Sequence, residues 1–283
     1  VRLIDSHAHL QAHPFEADRS GVVEAAFTAG IERLMVPAWD AGSSAQAVAM
    51  AEADGRLDAA VGIHPHDATA ARDADWARVV ELASGPRVLA IGETGLDYDR
   101  MRSPREAQLA NLRRHLRLAL DTGKPAVLHC RSAPGRRDAQ DDLLAEMRSA
   151  GFGGPAATAS FGDRPPAVLH SFSGPVDYAR AALDMGLAVS FSGLVFRHGE
   201  EASAEVAAFV PAERLLVETD SPYLAPPGVP RHSGPGFSGR RNSPEWVRVT
   251  AEWLCERRGA TPDSIGEGLV AAYDATFGRR SRG

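Results

Sequence analysis

Near the start of the chain the stretch IDSHAHL places Asp5, His7 and His9 within five residues of one another. In an extended strand, positions i and i+2 point to the same side, so His7 and His9 would offer two imidazoles to one point in space. Alone, the pair reads either as part of a metal site or as two polar residues on a wet edge, because histidine is both a common ligand and an ordinary surface residue. Further along, GIHPHD supplies His64, IGETGLDYDR supplies Glu93, and PAVLHC, AVLHSF and LLVETD supply His129, His170 and Asp220. Each ends a short apolar run. Independent surface residues would not fall repeatedly at the same end of successive runs. Such a set exceeds what one tetrahedral ion takes and suits two ions sharing a carboxylate. No thiolate is needed, so Zn²⁺, Mn²⁺, Fe²⁺ or Mg²⁺ would serve.

The elements that must position these residues are legible as runs. Apolar, β-rich stretches cover 1–5, 32–38, 58–64, 87–93, 125–130, 167–172, 187–193 and 214–220. Each is bounded by Gly, Pro or charge and is too short for a buried helix. Helical stretches lie between them. Residues 103–123 predict a helix with Ser103 as N-cap, Pro104 in the first turn, Glu106 three residues after the cap and Gly123 as its stop. Residues 242–259 carry a similar start and stop. Eight alternating units predict a single (β/α)8 TIM-type barrel spanning 1–283, with a doubly wound open sheet as the other architecture of this pattern. In a barrel the site would lie at the C-terminal face, where the strands end. Two stretches break the rhythm. Residues 151–166 read as a solvated Gly/Pro/Ala-rich excursion, and 225–241 as a long functional loop after the eighth strand.

Composition narrows the classes. The 283 residues are 44% hydrophobic with a net charge of −6. No apolar run approaches the ~20 residues of a membrane span, and no secretory pattern is evident. Two cysteines, Cys130 and Cys255, make no disulfide framework and fit a reducing cytoplasm. An acidic surface does not attract nucleic acid as a whole, so any handling of it must be local to a site.

The segments IDSHAHL, GIHPHD, IGETGLDYDR, GKPAVLHCR, VLHSFSG, LLVETDSPYLAP and RRNSPEWV together resemble the TatD-like metal-dependent deoxyribonucleases of the amidohydrolase superfamily, in family order across nearly the whole chain. The resemblance implies that His7 and His9 bind one metal with Asp220, that Glu93 bridges, and that His129 and His170 complete a second metal. It implies two divalent ions (Mg²⁺, Mn²⁺ or Zn²⁺) and catalytic roles for Glu93 and Asp220, the latter orienting water or taking its proton. The implied activity is hydrolysis of DNA phosphodiesters, with single strands trimmed from the 3′ end. An ester, amide or aminoacyl-tRNA substrate is the alternative on the same metal site. A monomer or weak oligomer is expected.

Several positions keep two readings. His64 is a substrate contact or a satisfied histidine behind the ligands. Arg131, two residues past His129, is a phosphate contact or one half of a salt bridge at the barrel mouth. Asp97 orients a ligand imidazole or caps a turn. His66 reads as a loop residue, Tyr223 as packing its loop, Cys130 as a buried strand residue facing away from the site, and His115 as surface or packing. The chain departs from the family at Ser243, where glutamate is usual, and at the 151–166 insertion.

Overall fold

The fold was analysed in a computed structural model, which describes residues 1–230, 232–234 and 237–278. Eight parallel strands form one sheet in chain order: β1 (Leu3–Asp5), β2 (Ile31–Pro37), β3 (Leu57–Val61), β4 (Val88–Asp97), β5 (Ala126–Arg131), β6 (Ala167–Leu169), β7 (Ala188–Phe191) and β8 (Leu215–Val217). Each of the eight overlaps a run expected from the sequence, although β4 continues four residues past Glu93, the expected end of its run, to Asp97. β8 returns to β1 through Ser6 N–H to the Val217 carbonyl, Asp220 N–H to the His7 carbonyl and a parallel bridge between Ala8 and Ser221. The sheet is therefore a barrel, and the open-sheet alternative falls.

Ten helices lie in chain order among the described residues: α1 (Arg19–Thr28), α2 (Ala41–Ala53), α3 (Asp73–Ala83), α4 (Arg105–Thr122), α5 (Asp138–Ala150), α6 (Pro155–Phe161), α7 (Val176–Asp184), α8 (Ala202–Phe209), α9 (Val247–Arg258) and α10 (Pro262–Phe277). Strands covered on both faces need apolar residues at successive positions; β3 and β7 are buried throughout. Local chemistry sets the helix ends. Asp40 caps α2 by accepting from Ser43 N–H at 2.7 Å, and Gly123 stops α4 in the left-handed conformation, where glycine costs least.

Three expectations change. Ser103 does not cap α4: its hydroxyl accepts from Thr69 N–H and donates to the His66 carbonyl, and Pro104 holds the cap position without a side-chain bond. The 151–166 excursion contains α6, which buries Ala157 and Phe161 and packs on α4. Seven residues show too little periodicity for a helix to be read from sequence. The 225–241 stretch carries a two-stranded antiparallel ribbon, β9 (His232–Gly234) with β10 (Phe237–Gly239), while positions 231, 235 and 236 lie outside the described residues. No helix is long and apolar enough to cross a membrane among the described residues.

Candidate metal centre

The ends of the strands bring the histidines and carboxylates together. Past β1 the chain stays extended: Ala8 N–H bonds the Met35 carbonyl and His9 N–H the Ser221 carbonyl, so His7 and His9 point to one side. Their Nε2 atoms are 3.2 Å apart. β4 carries Glu93 through a register break against β5 between Ile91 and Thr94; such a break re-aims a side chain. Gly95 permits the close approach there, since a Cβ would lie 1.9 Å from the His129 carbonyl oxygen. Asp220 sits just beyond β8 at a φ of 53°. Asn242 steadies that turn, donating to the Thr219 carbonyl at 2.9 Å.

The two oxygens of Glu93 face different partners. Oε2 lies 3.2 Å from His7 Nε2 and 3.5 Å from His9 Nε2. Oε1 lies 2.9 Å from His170 Nε2, 3.0 Å from His129 Nδ1 and 3.2 Å from His64 Nε2. Asp220 Oδ1 lies 3.4 Å from His9 Nε2 and 3.7 Å from His7 Nε2. The six residues named as ligands from sequence thus form one cluster centred on Glu93, with His64 beside them.

The outer ring nitrogens fix which inner ones carry a lone pair. His9 Nδ1 faces the Pro37 carbonyl at 3.1 Å, His170 Nδ1 faces Glu218 at 3.1 Å, and His129 Nε2 faces Asp97 at 3.3 Å. Each outer nitrogen meets an acceptor and so carries the proton, leaving His9 Nε2, His170 Nε2 and His129 Nδ1 as bare lone pairs aimed at carboxylate oxygens in the neutral rings. Lone pairs facing carboxylates repel unless a cation stands among them. The donor set, imidazole nitrogen with carboxylate oxygen, fits borderline divalent ions. His64 is the opposite case. Its Nδ1 accepts from His66 N–H at 3.1 Å, so its Nε2 bears hydrogen and donates to Glu93.

Charge follows the same layout. Without a cation, protons on the rings can take its place: burial opposes ionisation of Glu93, but imidazoles that gain a second proton, His170 foremost, outweigh it and hold the carboxyl well below its ordinary range. Asp220 is lowered too, against burial, chiefly by His9 when that ring carries a proton on Nε2 as well. Burial lowers His64 to about 4, so it is neutral near pH 7. Among the described residues, no ion pair joins Glu93 or Asp220 to an arginine or to Lys124.

The secondary positions resolve as follows. Arg131 lies outside the cluster; its exposed guanidinium pairs with Asp99 at 2.7 Å, the mouth salt bridge of its two readings. Asp97 does both things weighed for it: Oδ2 meets His129 and His66, and Oδ1 accepts from the N–H groups of Asp99 and Arg100. His66, read as a loop residue, is tied in by its 2.8 Å contact with Asp97. Cys130 is half-buried, its thiol pushed up to about 12 by burial. His115 is fully buried and no surface residue; its Nε2 accepts from Ile63 N–H, next to His64. Tyr223, read as packing its loop, is 52% exposed, with its ring edge-on to His9 at 6.0 Å between centroids.

Sequence reasoning missed Glu218, which backs His170, and gave no role to Asp5, which accepts from His7 N–H and from Thr219 N–H and hydroxyl. It also missed Gln108 and Asn111, side chains of α4 that hold the backbone of Asp97 and Ile63. The apolar strand–turn signal covers Glu218 without separating it from the capping residues nearby, and only its position behind a histidine 48 residues away reveals it.

Comparisons with known proteins identify the family. The family model described as TatD related DNase matches residues 4–278. The chain is 34% identical to the metal-dependent hydrolase YabD of Bacillus subtilis, over 93% of this chain and 94% of that one. It is 34% identical to the 3′-5′ ssDNA/RNA exonuclease TatD of Escherichia coli K12, over 91% and 92%. Among solved structures, YjjV, a TatD homologue from Escherichia coli K12, superposes with a TM-score of 0.82 at 27% identity, covering 99% of both chains. Matched almost from end to end by the model, and a third identical to relatives of the same length, the chain belongs to the TatD-related DNase family.

Proposed function

We propose that this protein is a two-metal phosphodiesterase that trims single-stranded DNA from its 3′ end. The carrying observation is the split of Glu93: one oxygen faces the His7–His9 pair and the other faces His129 and His170, with imidazole lone pairs aimed at both. His7, His9 and Asp220 would hold one divalent cation and His129 and His170 the other, with Glu93 shared. Bound cations supply Lewis acidity toward phosphoryl oxygens and acidify water.

The chain's own residues do the rest. Asp220, ionised and 15% exposed at its side chain, accepts the proton of the attacking water. Neutral His64 carries hydrogen on Nε2 and turns that N–H from Glu93 to a non-bridging phosphate oxygen when substrate enters. Asp97 and Glu218 fix the rings of His129 and His170. Relatives named as 3′-5′ exonucleases for single-stranded DNA and RNA support the substrate class. The two cysteines remain free, in keeping with a cytoplasmic enzyme.

The test is a 3′- or 5′-labelled single-stranded oligonucleotide incubated with Mg²⁺ or Mn²⁺, with and without chelator. Laddering of the 5′-labelled strand that chelator abolishes is expected. A metal-loaded preparation that leaves the strand intact but hydrolyses aryl esters would replace this reading with the ester alternative.

A further inference from the structure

The barrel mouth carries a second pattern beside the metal centre. Strongly exposed large apolar side chains are few among the described residues: Val1, Val80, Met101 and Tyr223. Two of these, Met101 and Tyr223, stand on the loops that leave β4 and β8. The first loop also presents Arg100 and Arg102, both exposed. Arginines elsewhere on the surface mostly hold carboxylates, as Arg105 holds Asp142 and Arg113 holds Glu146. Among the described residues, neither Arg100 nor Arg102 has an ion pair or a side-chain hydrogen bond. Tyr223 stands at the same rim, its ring edge-on to His9. The loop is anchored, since Arg100 N–H bonds Asp97, the carboxylate that also contacts His129.

A protein with net charge −6 needs local cations to hold a polyanion. Guanidinium matches phosphate oxygens in a fork, and an exposed aromatic ring offers any base a stacking face. We propose that Arg100, Arg102 and Tyr223 form a strand-binding wall beside the metal centre. Tyr223 stacks the base of the nucleotide being removed, and the two arginines hold the phosphates that follow it. This deepens the nuclease reading and rests on it. It also accounts for a preference for single strands, because a base inside a duplex has no free face to give Tyr223.

The test is fluorescence anisotropy with a 12-nucleotide single strand carrying phosphorothioate linkages, measured over a range of salt. Arg100→Ala and Arg102→Ala should each flatten the slope of log affinity against log salt by about 0.7, and the double substitution by about twice that. Arg148→Ala, an equally unpaired arginine on the outer helix α5, should leave the slope unchanged. Tyr223→Ala should weaken binding roughly tenfold and erase discrimination against a strand whose terminal base is missing, while Tyr223→Phe should keep both. A slope indifferent to the two mouth arginines, or moved equally by Arg148→Ala, overturns the wall. So does full discrimination against the abasic end in Tyr223→Ala. If these variants match the parent while the parent degrades DNA normally, only the wall falls. If the parent neither binds nor cuts single strands, the nuclease reading falls and takes the wall with it.

Discussion

Two buried carboxylates sit at opposite ends of the barrel strands and are treated in opposite ways. Asp58, near the start of β3, is fully buried, with Arg33 on Oδ2 at 2.6 Å and the Tyr273 hydroxyl of α10 at 2.8 Å. Glu93, in the second half of β4, is 2% exposed and ringed by imidazoles. At the foot, the chain encodes the cation that balances the charge. Around Glu93, among the described residues, it encodes imidazoles and no paired guanidinium. A buried charge is tolerated when paired or when it coordinates metal, and the two ends show both solutions. The foot is closed and structural, whereas the mouth needs something the chain does not supply.

That contrast can be broken from either side. Arg33→Ala leaves Asp58 buried without its cation, and urea unfolding should show a loss of roughly 3–5 kcal/mol, while activity per folded molecule holds. Equal stability of parent and variant would mean that the foot is not the balanced pair described. Glu93→Ala should do the reverse: turnover falls by about 10²–10³-fold or more, metal content by mass spectrometry drops, and stability measured in chelator changes little. Glu218→Gln keeps the shape behind His170 but removes the charge. A roughly 10- to 100-fold weaker metal affinity is expected by titration, with parental affinity as the contrary result.

The smallest effect concerns His115. Burial lowers its folded pKa to about 3, below the ~6.5 of an unfolded histidine. Between those values the unfolded chain binds the extra proton, so this residue's stabilisation is present above about pH 6.5 and is lost as pH falls toward 3. From pH 7 to 5.5 that amounts to about 1 kcal/mol. His115→Gln should remove that slope from the difference between the two proteins' stabilities; identical pH dependence would show the ring is not buried neutral.

The strands and the six ligand candidates were legible because each depends on a local signal: a short apolar run, then a donor at its end. Residues whose meaning lies in a distant partner were not. Glu218 gains its role only from His170, and Gln108 only from the Asp97 backbone, brought together by folding. Ser103 has the sequence of a cap but is taken by Thr69 and His66 on a neighbouring loop. Tyr223 shows the same limit, because exposure is not written in the residue type.

The seam between β8 and β1 sets a timetable. His7 and His9 leave the ribosome first, but the carboxylate that faces them lies at position 220, just past the last strand to close the ring. Until that segment arrives, a nascent chain holds five of the six residues and lacks the carboxylate that faces His7 and His9. The cluster is therefore completed only once most of the chain's length has been synthesised.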